Sequence, residues 1–309
     1  MRELRLLSVV TPMHNEEGNA RALYERVVAA LGDTPFELIV TDDGSRDGTP
    51  AILEELAAAD ERVKVLSLSR NFGHQAALTA GLDHATGDAV VMMDSDLQDP
   101  PEVIPQLLAR WREGSDVVYA VRESREGESR FKLLTARWFY RGFKRLAQIE
   151  VPLDAGDFRL MDRRALDALL AMPERNRFLR GMTAWVGFEQ TAVTYDRAAR
   201  GAGSTKYTLG RMLRFSADAT TSFSHVPLQL ATILGFVISI LALLAIPLVV
   251  VARISGEFVP GISSTLVVVL LLGGIQLITV GIIGEYVGRI YDEVKNRPLY
   301  VVRERRNLP

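Results

Sequence analysis

The stretch Ala89-Val90-Val91-Met92-Met93-Asp94-Ser95-Asp96-Leu97-Gln98-Asp99-Pro100-Pro101 sets five apolar residues directly against three carboxylates. A short apolar run of this kind reads as a buried strand, and the polar turn and two prolines that follow end it. Outward from it, the same alternation recurs. Strand-like runs fall at 6–10, 36–40, 63–68, 89–93 and 116–121, and helical patterns at 16–31, 49–59, 74–85 and 101–112. Strands and helices in strict turn predict βαβ units: an α/β, Rossmann-like, mostly parallel sheet with helices on both faces. No Pro/Gly-rich linker interrupts the chain before residue 200, and no internal repeat or low-complexity tract is found.

Ligands of such sheets bind beyond the carboxyl ends of the strands. Four polar clusters sit at those ends: Pro12-Met13-His14-Asn15-Glu16, Asp42-Asp43-Gly44-Ser45, Asn71-Phe72-Gly73 and Asp94-Ser95-Asp96-Leu97-Gln98-Asp99. Any one alone could cap a helix, as Asn15 or Asp47 would. Four on one edge predict a site. Asp94 and Asp96 stand at i, i+2, so an extended segment would point both carboxylates to one side. Two such carboxylates repel unless a cation lies between them. Oxygen donors suit Mg²⁺ or Mn²⁺, which use one or two carboxylates and complete their shell with phosphate oxygens and water. The Gln98 amide could join them.

Several chemistries are excluded. The 309 residues contain no cysteine, which removes disulfides, thiolate zinc sites and a cysteine nucleophile. A net charge of −2 gives no general affinity for nucleic acid. There is no P-loop, no Gly-x-Gly-x-x-Gly after the first strand and no Gly-x-Ser-x-Gly elbow. His14, His74, His84 and His225 show no zinc-like spacing. The N-terminus lacks the long apolar region and cleavage site of a signal peptide.

The last third changes character. No charged residue occurs between His225 and Arg253, nor from Phe258 to Gly284. Each run exceeds the ~20 residues a helix needs to cross a ~30 Å hydrocarbon core, so two membrane spans are expected. Lys206, Arg211 and Arg214 precede the first; Arg289, Lys295, Arg297, Arg303, Arg305 and Arg306 follow the second; the loop between has only Arg253 as a basic residue. The bias of Lys and Arg toward the inner side puts both termini in the cytoplasm and the chain in the cytoplasmic (inner) membrane. Leu209, Met212, Leu213 and Phe223, spaced among Arg211, Arg214 and Asp218, suggest a helix lying on the bilayer surface. The expected domains are 1–206 (catalytic sheet), 207–224 (interfacial helix), 225–285 (two-helix hairpin) and 286–309 (cytoplasmic tail). Residues 122–145 carry eight basic and three acidic side chains, which suits a phosphate headgroup at an anionic surface.

Together these clusters resemble family 2 glycosyltransferases of the GT-A fold, most of all the polyprenyl-phosphate glycosyltransferases that include bactoprenol glucosyltransferases and dolichol-phosphate mannose synthase. The likeness extends to Asp154-Ala155-Gly156-Asp157-Phe158-Arg159, to Arg200 with Gly203-Ser204-Thr205-Lys206-Tyr207, and to Gly284-Glu285-Tyr286-Val287-Gly288-Arg289-Ile290-Tyr291. It implies roles. Pro12, His14, Glu16 and Asp43 would hold the base and ribose, with Asn15, Asp42, Ser45 and Ser95 completing the nucleotide-sugar site. Asp94, Asp96 and Gln98 would hold the metal on the diphosphate. Arg122, Lys132 and Thr135 would meet the acceptor phosphate. Arg200 and Lys206 would close over the donor. Asp157 would organise the acceptor or act as base, with Asp96 the other catalytic carboxylate. The resemblance implies a homo-oligomer, a tetramer as in related two-span enzymes.

The expected reaction is inverting transfer of one hexose from a nucleotide-sugar, UDP-glucose by likeness, to a polyprenyl phosphate such as undecaprenyl phosphate. GDP-mannose and an aminoarabinose donor are alternatives. A processive polysaccharide synthase would need a Gln-x-x-Arg-Trp motif; the nearest string, Gln106 to Arg110-Trp111, has the wrong spacing and precedes Asp157. A nucleotide-binding membrane adaptor is the non-enzymatic alternative.

Overall fold

The computed structural model describes residues 2–122, 155–195, 226–255 and 261–308. The described residues fall into a sheet unit and a helical unit. In the sheet unit, strands β1 (Leu7–Met13), β2 (Phe36–Asp42), β3 (Val63–Leu68), β4 (Ala89–Met92) and β5 (Val117–Arg122) alternate with helices α1 (Ala20–Leu31), α2 (Thr49–Ala59), α3 (His74–Asp83) and α4 (Ile104–Glu113). Then come β6 (Ala155–Asp162), α5 (Arg163–Leu170), α6 (Leu179–Trp185) and β7 (Gln190–Tyr195). After the helices of the second unit, β8 (Val302–Arg306) completes an eight-stranded sheet in the order β7-β5-β6-β4-β1-β2-β3-β8.

Pairing is parallel for β1–β2, β1–β4, β2–β3 and β5–β7, and antiparallel for β4–β6, β5–β6 and β3–β8. Strands β1 to β5 therefore all end on one edge, and β6 starts there. All seven residues of β1 and of β2 are buried, as expected for strands covered on both faces. On one face Leu23 and Val27 of α1, Leu53 and Leu56 of α2, and Leu107 and Trp111 of α4 form a single core with Val9, Val40 and Val91. Helix α3 packs on β1 and β2. The approach is close at Gly81, where a Cβ would collide with Val10 Cγ1, so no larger residue fits.

Three boundaries differ from the sequence expectation. Helix α1 starts at Ala20 rather than at residue 16, because Asn15 adopts a left-handed φ of 56° and the Glu16 amide donates to Thr49 Oγ1 (2.8 Å). Residues 101–112 split into a 3₁₀ turn, Pro101–Val103, and α4. The expected boundary at 285–286 falls inside a helix. Among the described residues the helical unit holds α7 (Val226–Ile254) and α8 (Ile262–Val294). Charge begins at Glu285, but an i, i+4 pair between Arg289 and Glu285 (3.2 Å) carries α8 onward. It ends where Asn296 turns left-handed (φ 47°) ahead of Pro298. The tail beyond is not an appendage: residues 297–309 belong to the sheet unit.

Along α7 and α8 large apolar side chains face outward, among them Leu230, Ile233, Phe236, Ile240, Leu271 and Leu277. Both helices are long and apolar enough to cross a membrane. The expected interfacial helix, 207–224, lies outside the described residues.

Candidate active site

The carboxyl edge gathers the predicted clusters. Pro12, Glu16, Asp94, Ser95 and Asp96 line one open cavity, and His74 lines it with them. The Asp94–Asp96 segment is not extended. β4 stops at Met92, residues 95–99 bend, and Leu97 has a φ of 59°. Both carboxylates nonetheless reach the same cavity. Asp96 Oδ1 accepts from the Gln98 backbone amide (3.1 Å), which fixes the bend.

Behind the cavity wall, short polar residues build a scaffold. Asp42 Oδ1 accepts from the Ser45 amide (3.0 Å), and Ser45 Oγ accepts from the Asn15 amide (2.9 Å). Asn15 Oδ1 accepts from the Arg46 amide (2.8 Å), closing the two turns on each other. His14 Nδ1 donates to the Asp43 carbonyl oxygen (2.9 Å). The Asp43 carboxylate is buried and accepts from the Phe72 and Gly73 amides at 2.7 and 2.9 Å. Asp43 therefore shapes the turn ahead of α3 and presents His74. Gly44, at φ 69°, lies under this turn; a Cβ there would sit 2.6 Å from the Arg70 carbonyl carbon.

Because β6 runs against β4, Asp157 at its start meets Asp94 at the end of β4; the register pairs Met92 with Arg159. Ligand atoms of His74, Asp94 and Asp157 lie within 4.8 Å of one another, close enough to hold a cation. His74 Nε2 is 3.4 Å from Asp157 Oδ2 and 3.5 Å from Asp94 Oδ1. Asp157 is buried and gripped by Arg180, with Nε to Oδ1 at 2.7 Å and Nη2 to Oδ2 at 3.0 Å. Arg159, fully buried, stands 3.8 Å away.

The two carboxylates titrate in opposite senses. Burial pushes the Asp94 carboxyl up to about 6; the nearby carboxylates of Asp157, Asp99 and Asp96 add to this and His74 opposes it. Burial also works to raise Asp157, but hydrogen bonds from His74 and Arg180 and the charges of Arg180 and Arg159 outweigh it, holding this group well below the usual range. His74 is raised: burial pulls it down, and Asp157 and Asp94 more than offset that. Asp94 Oδ1 is buried and has no hydrogen-bond partner among the described residues.

Arg122 ends β5 on this edge, paired with Tyr195. Lys132, Thr135, Arg200 and Lys206 lie outside the described residues. Sequence reasoning passed over His74 and Arg180. The first stands next to the Asn71-Phe72-Gly73 cluster, which pointed toward it. The second carries no local signal.

The profile of glycosyl transferase family 2 matches residues 8–170. An uncharacterised glycosyltransferase of Bacillus subtilis (strain 168), YkcC, is 47% identical over 96% of this chain and 93% of its own. The SfII prophage-derived bactoprenol glucosyl transferase of Shigella flexneri is 42% identical over 96% of this chain and 97% of its own. Among solved structures, glucosyl-3-phosphoglycerate synthase from Mycobacterium tuberculosis superposes with a TM-score of 0.49 at 22% identity, covering 70% of this chain and 76% of that one. The family match spans β1 to α5, the elements that carry Asp94, Asp96, His74 and Asp157, and the relatives extend it through both apolar helices. With its carboxylates gathered at the carboxyl edge of a GT-A-type sheet, the chain belongs to glycosyl transferase family 2 and is a glycosyltransferase.

Proposed function

We propose that the enzyme transfers a single hexose, glucose from UDP-glucose, to a polyprenyl phosphate, undecaprenyl phosphate, with inversion, at the cytoplasmic face of the membrane. The observation that carries this reading is the cavity shared by Asp94, Asp96, Glu16 and Pro12 at the carboxyl edge. The 42% identical Shigella relative, named for bactoprenol glucosyl transfer, supports the acceptor and the sugar.

A divalent cation, Mg²⁺ or Mn²⁺, fits the residues present. Asp94 Oδ1 is buried without a hydrogen-bond partner among the described residues, and burial, with the neighbouring carboxylates adding to it, raises the Asp94 carboxyl. Asp94 and Asp96 would hold the ion, with the Gln98 amide as a further donor. Bound there, it supplies charge neutralisation for the departing diphosphate. The remaining work falls to the chain's own groups. Pro12 and Glu16 line the donor side of the cavity, while the Asn15–Ser45–Asp42 scaffold and the Asp43 clamp keep its walls in place. Asp157, held by Arg180 and His74, stands at the start of β6 next to Asp94. A phosphate monoester has a second pKa near ~6, so the acceptor oxygen is already largely anionic at neutral pH and needs orientation more than deprotonation.

The apolar helices bring the enzyme to its lipid. Strand β8 follows α8 in the chain and pairs with β3 in the sheet, which supports reading the α7–α8 pair as a hairpin across the bilayer. The Lys and Arg excess on the flanks of the pair assigns that side to the cytoplasm. The domains are thus a cytoplasmic catalytic unit, an interfacial segment at 207–224, the hairpin, and a tail that returns to the sheet. Assembly as a homo-oligomer, a tetramer, belongs to the same reading and is checked by mass measurement in detergent.

The test is a screen of the purified full chain with radiolabelled UDP-glucose, GDP-mannose and an aminoarabinose donor against undecaprenyl phosphate, with and without Mn²⁺. Label from UDP-glucose should pass to lipid only with the metal. Transfer from another donor alone would replace the sugar; lipid labelling that survives chelation would remove the metal role.

A further inference from the structure

We propose that Arg180, Asp157 and His74 form one positioning array, in which Arg180 acts on the cavity through Asp157 and His74 is the member that meets the donor. The order follows from exposure. His74 lines the cavity with a side chain 44% exposed, whereas the Asp157 side chain is 6% exposed. His74 is therefore the member of the three that opens to the cavity.

Each link has its own support. His74 opens α3, and its backbone is fixed by the two amide hydrogen bonds that Asp43 takes from Phe72 and Gly73. Its Nε2 is then held toward Asp157, 3.4 Å away, with the Asp94 carboxylate close by at 3.5 Å. Asp157 could turn away from the ring by rotating its carboxylate. Arg180 prevents this, because a guanidinium fork that engages both oxygens defines the plane of the group it holds. Arg180 is itself placed by Gln75, whose Oε1 accepts from the Leu179 amide at 3.1 Å. Gln75 follows His74 in the chain and Leu179 precedes Arg180. One hydrogen bond thus ties the start of α3 to the start of α6, with Asp157 held between the two side chains. A buried Asp with an Arg to pair with needs no such tie; an array that must keep a ring aligned beside a cavity does.

The inference rests on the proposed transfer reaction for its acceptor but not for its logic. The experiment is a double-mutant cycle in the full chain, reconstituted with lipid: Arg180→Gln, His74→Asn and the pair together. Donor turnover is read both as transfer to undecaprenyl phosphate and as donor hydrolysis. Each single variant should lower kcat on the order of 10- to 100-fold, as loss of a group that orients a functional residue does. Arg180→Gln should leave the KM for the nucleotide-sugar within about 2-fold, because its fork is engaged by Asp157. The double variant should fall no more than about 3-fold below the worse single one. Losses that multiply would overturn the array, since Arg180 would then act independently of His74. Unchanged kcat in Arg180→Gln with a lowered melting temperature would also overturn it, leaving a structural ion pair. If Arg180→Gln fails to fold, Arg180→Lys keeps the cation but loses the fork, and an intermediate kcat with wild-type KM is expected; wild-type kcat would refute the orientation role. A wild-type enzyme that hydrolyses the donor but labels no polyprenyl phosphate would defeat the acceptor assignment alone, and the cycle would still be read on hydrolysis.

Discussion

The two edges of the sheet treat their acidic side chains in opposite ways. At the amino edge every carboxylate of the main networks is matched. Glu37, buried across the starts of the strands, pairs with Lys64 and accepts from Ser8 Oγ, the Thr86 amide (2.7 Å) and Thr86 Oγ1 (2.9 Å). Asp116 takes Arg2 at 2.7 Å and Arg164 at 2.8 Å, and Asp162 accepts from the Trp111 indole at 2.8 Å. At the carboxyl edge Asp94 Oδ1 and Asp42 Oδ2 are buried with no hydrogen-bond partner among the described residues. Burial works to raise both Glu37 and Asp94. At Glu37, Lys64, Ser8 and Thr86 reverse the effect and the carboxyl is lowered; at Asp94 it goes up to about 6. A fold can leave such a cost uncompensated only where something else will compensate it, and that difference marks one edge as stability and the other as chemistry.

The sharpest way to break this contrast is to exchange the effects of substitution at the two edges. Asp94→Asn should reduce sugar transfer on the order of 10³-fold or more, since cation binding supplies several kcal/mol at the transition state. Measured without divalent metal at pH 8, its melting temperature should be no lower than wild type. A large loss of stability with retained transfer would erase the distinction. Next comes the tail: removing residues 302–309 strips β8 from β3 and should lower the melting temperature by several degrees, on the scale of a few kcal/mol. Glu37→Gln should then cost about 2 kcal/mol in chemical denaturation, because it leaves Lys64 without its partner, while kcat per folded enzyme is unchanged.

The pH dependence refines the comparison. Glu37 is lowered on folding, so its contribution is present above its unfolded pKa of ~4.3 and fades as pH falls through the folded value. The gap in stability between wild type and Glu37→Gln should be full at pH 7 and shrink below pH ~4. Asp94 is raised, so its ionisation works against the fold as pH climbs from ~3.9 through about 6. Metal-free Asp94→Asn should accordingly gain on wild type between pH ~4 and ~6 and hold that gain above it, the reverse trend. The smallest effect is expected at Tyr300→Phe, which removes a 2.8 Å hydrogen bond to Asp83 and should cost about 1 kcal/mol in equilibrium unfolding.

Much of this was legible in the sequence, and what was not has identifiable causes. The carboxyl-edge clusters could be read because each follows an apolar strand, and strands that alternate with helices end on the same edge. The direction of β6 could not be read: nothing in Ala155–Asp162 distinguishes a parallel from an antiparallel partner, so the meeting of Asp157 with Asp94 appears only in three dimensions. The resemblance to known glycosyltransferases singled out Asp157 without saying what holds it. Arg180 lies 23 residues beyond Asp157 on another element, and no spacing rule links them. Strand β8 was missed for another reason. Its sequence, Val-Arg-Glu-Arg-Arg, has one apolar residue, because an edge strand needs only its backbone to pair and benefits from charge on its exposed side.

That last strand has a consequence for how the protein comes into being. Synthesis runs from the N-terminus, so β3 leaves the ribosome more than two hundred residues ahead of its outer neighbour. In the interval both long apolar helices are made while the nascent domain waits with an open border. The sheet therefore cannot close until both have been synthesised, and a chain cut short of β8 keeps an unzipped rim along β3.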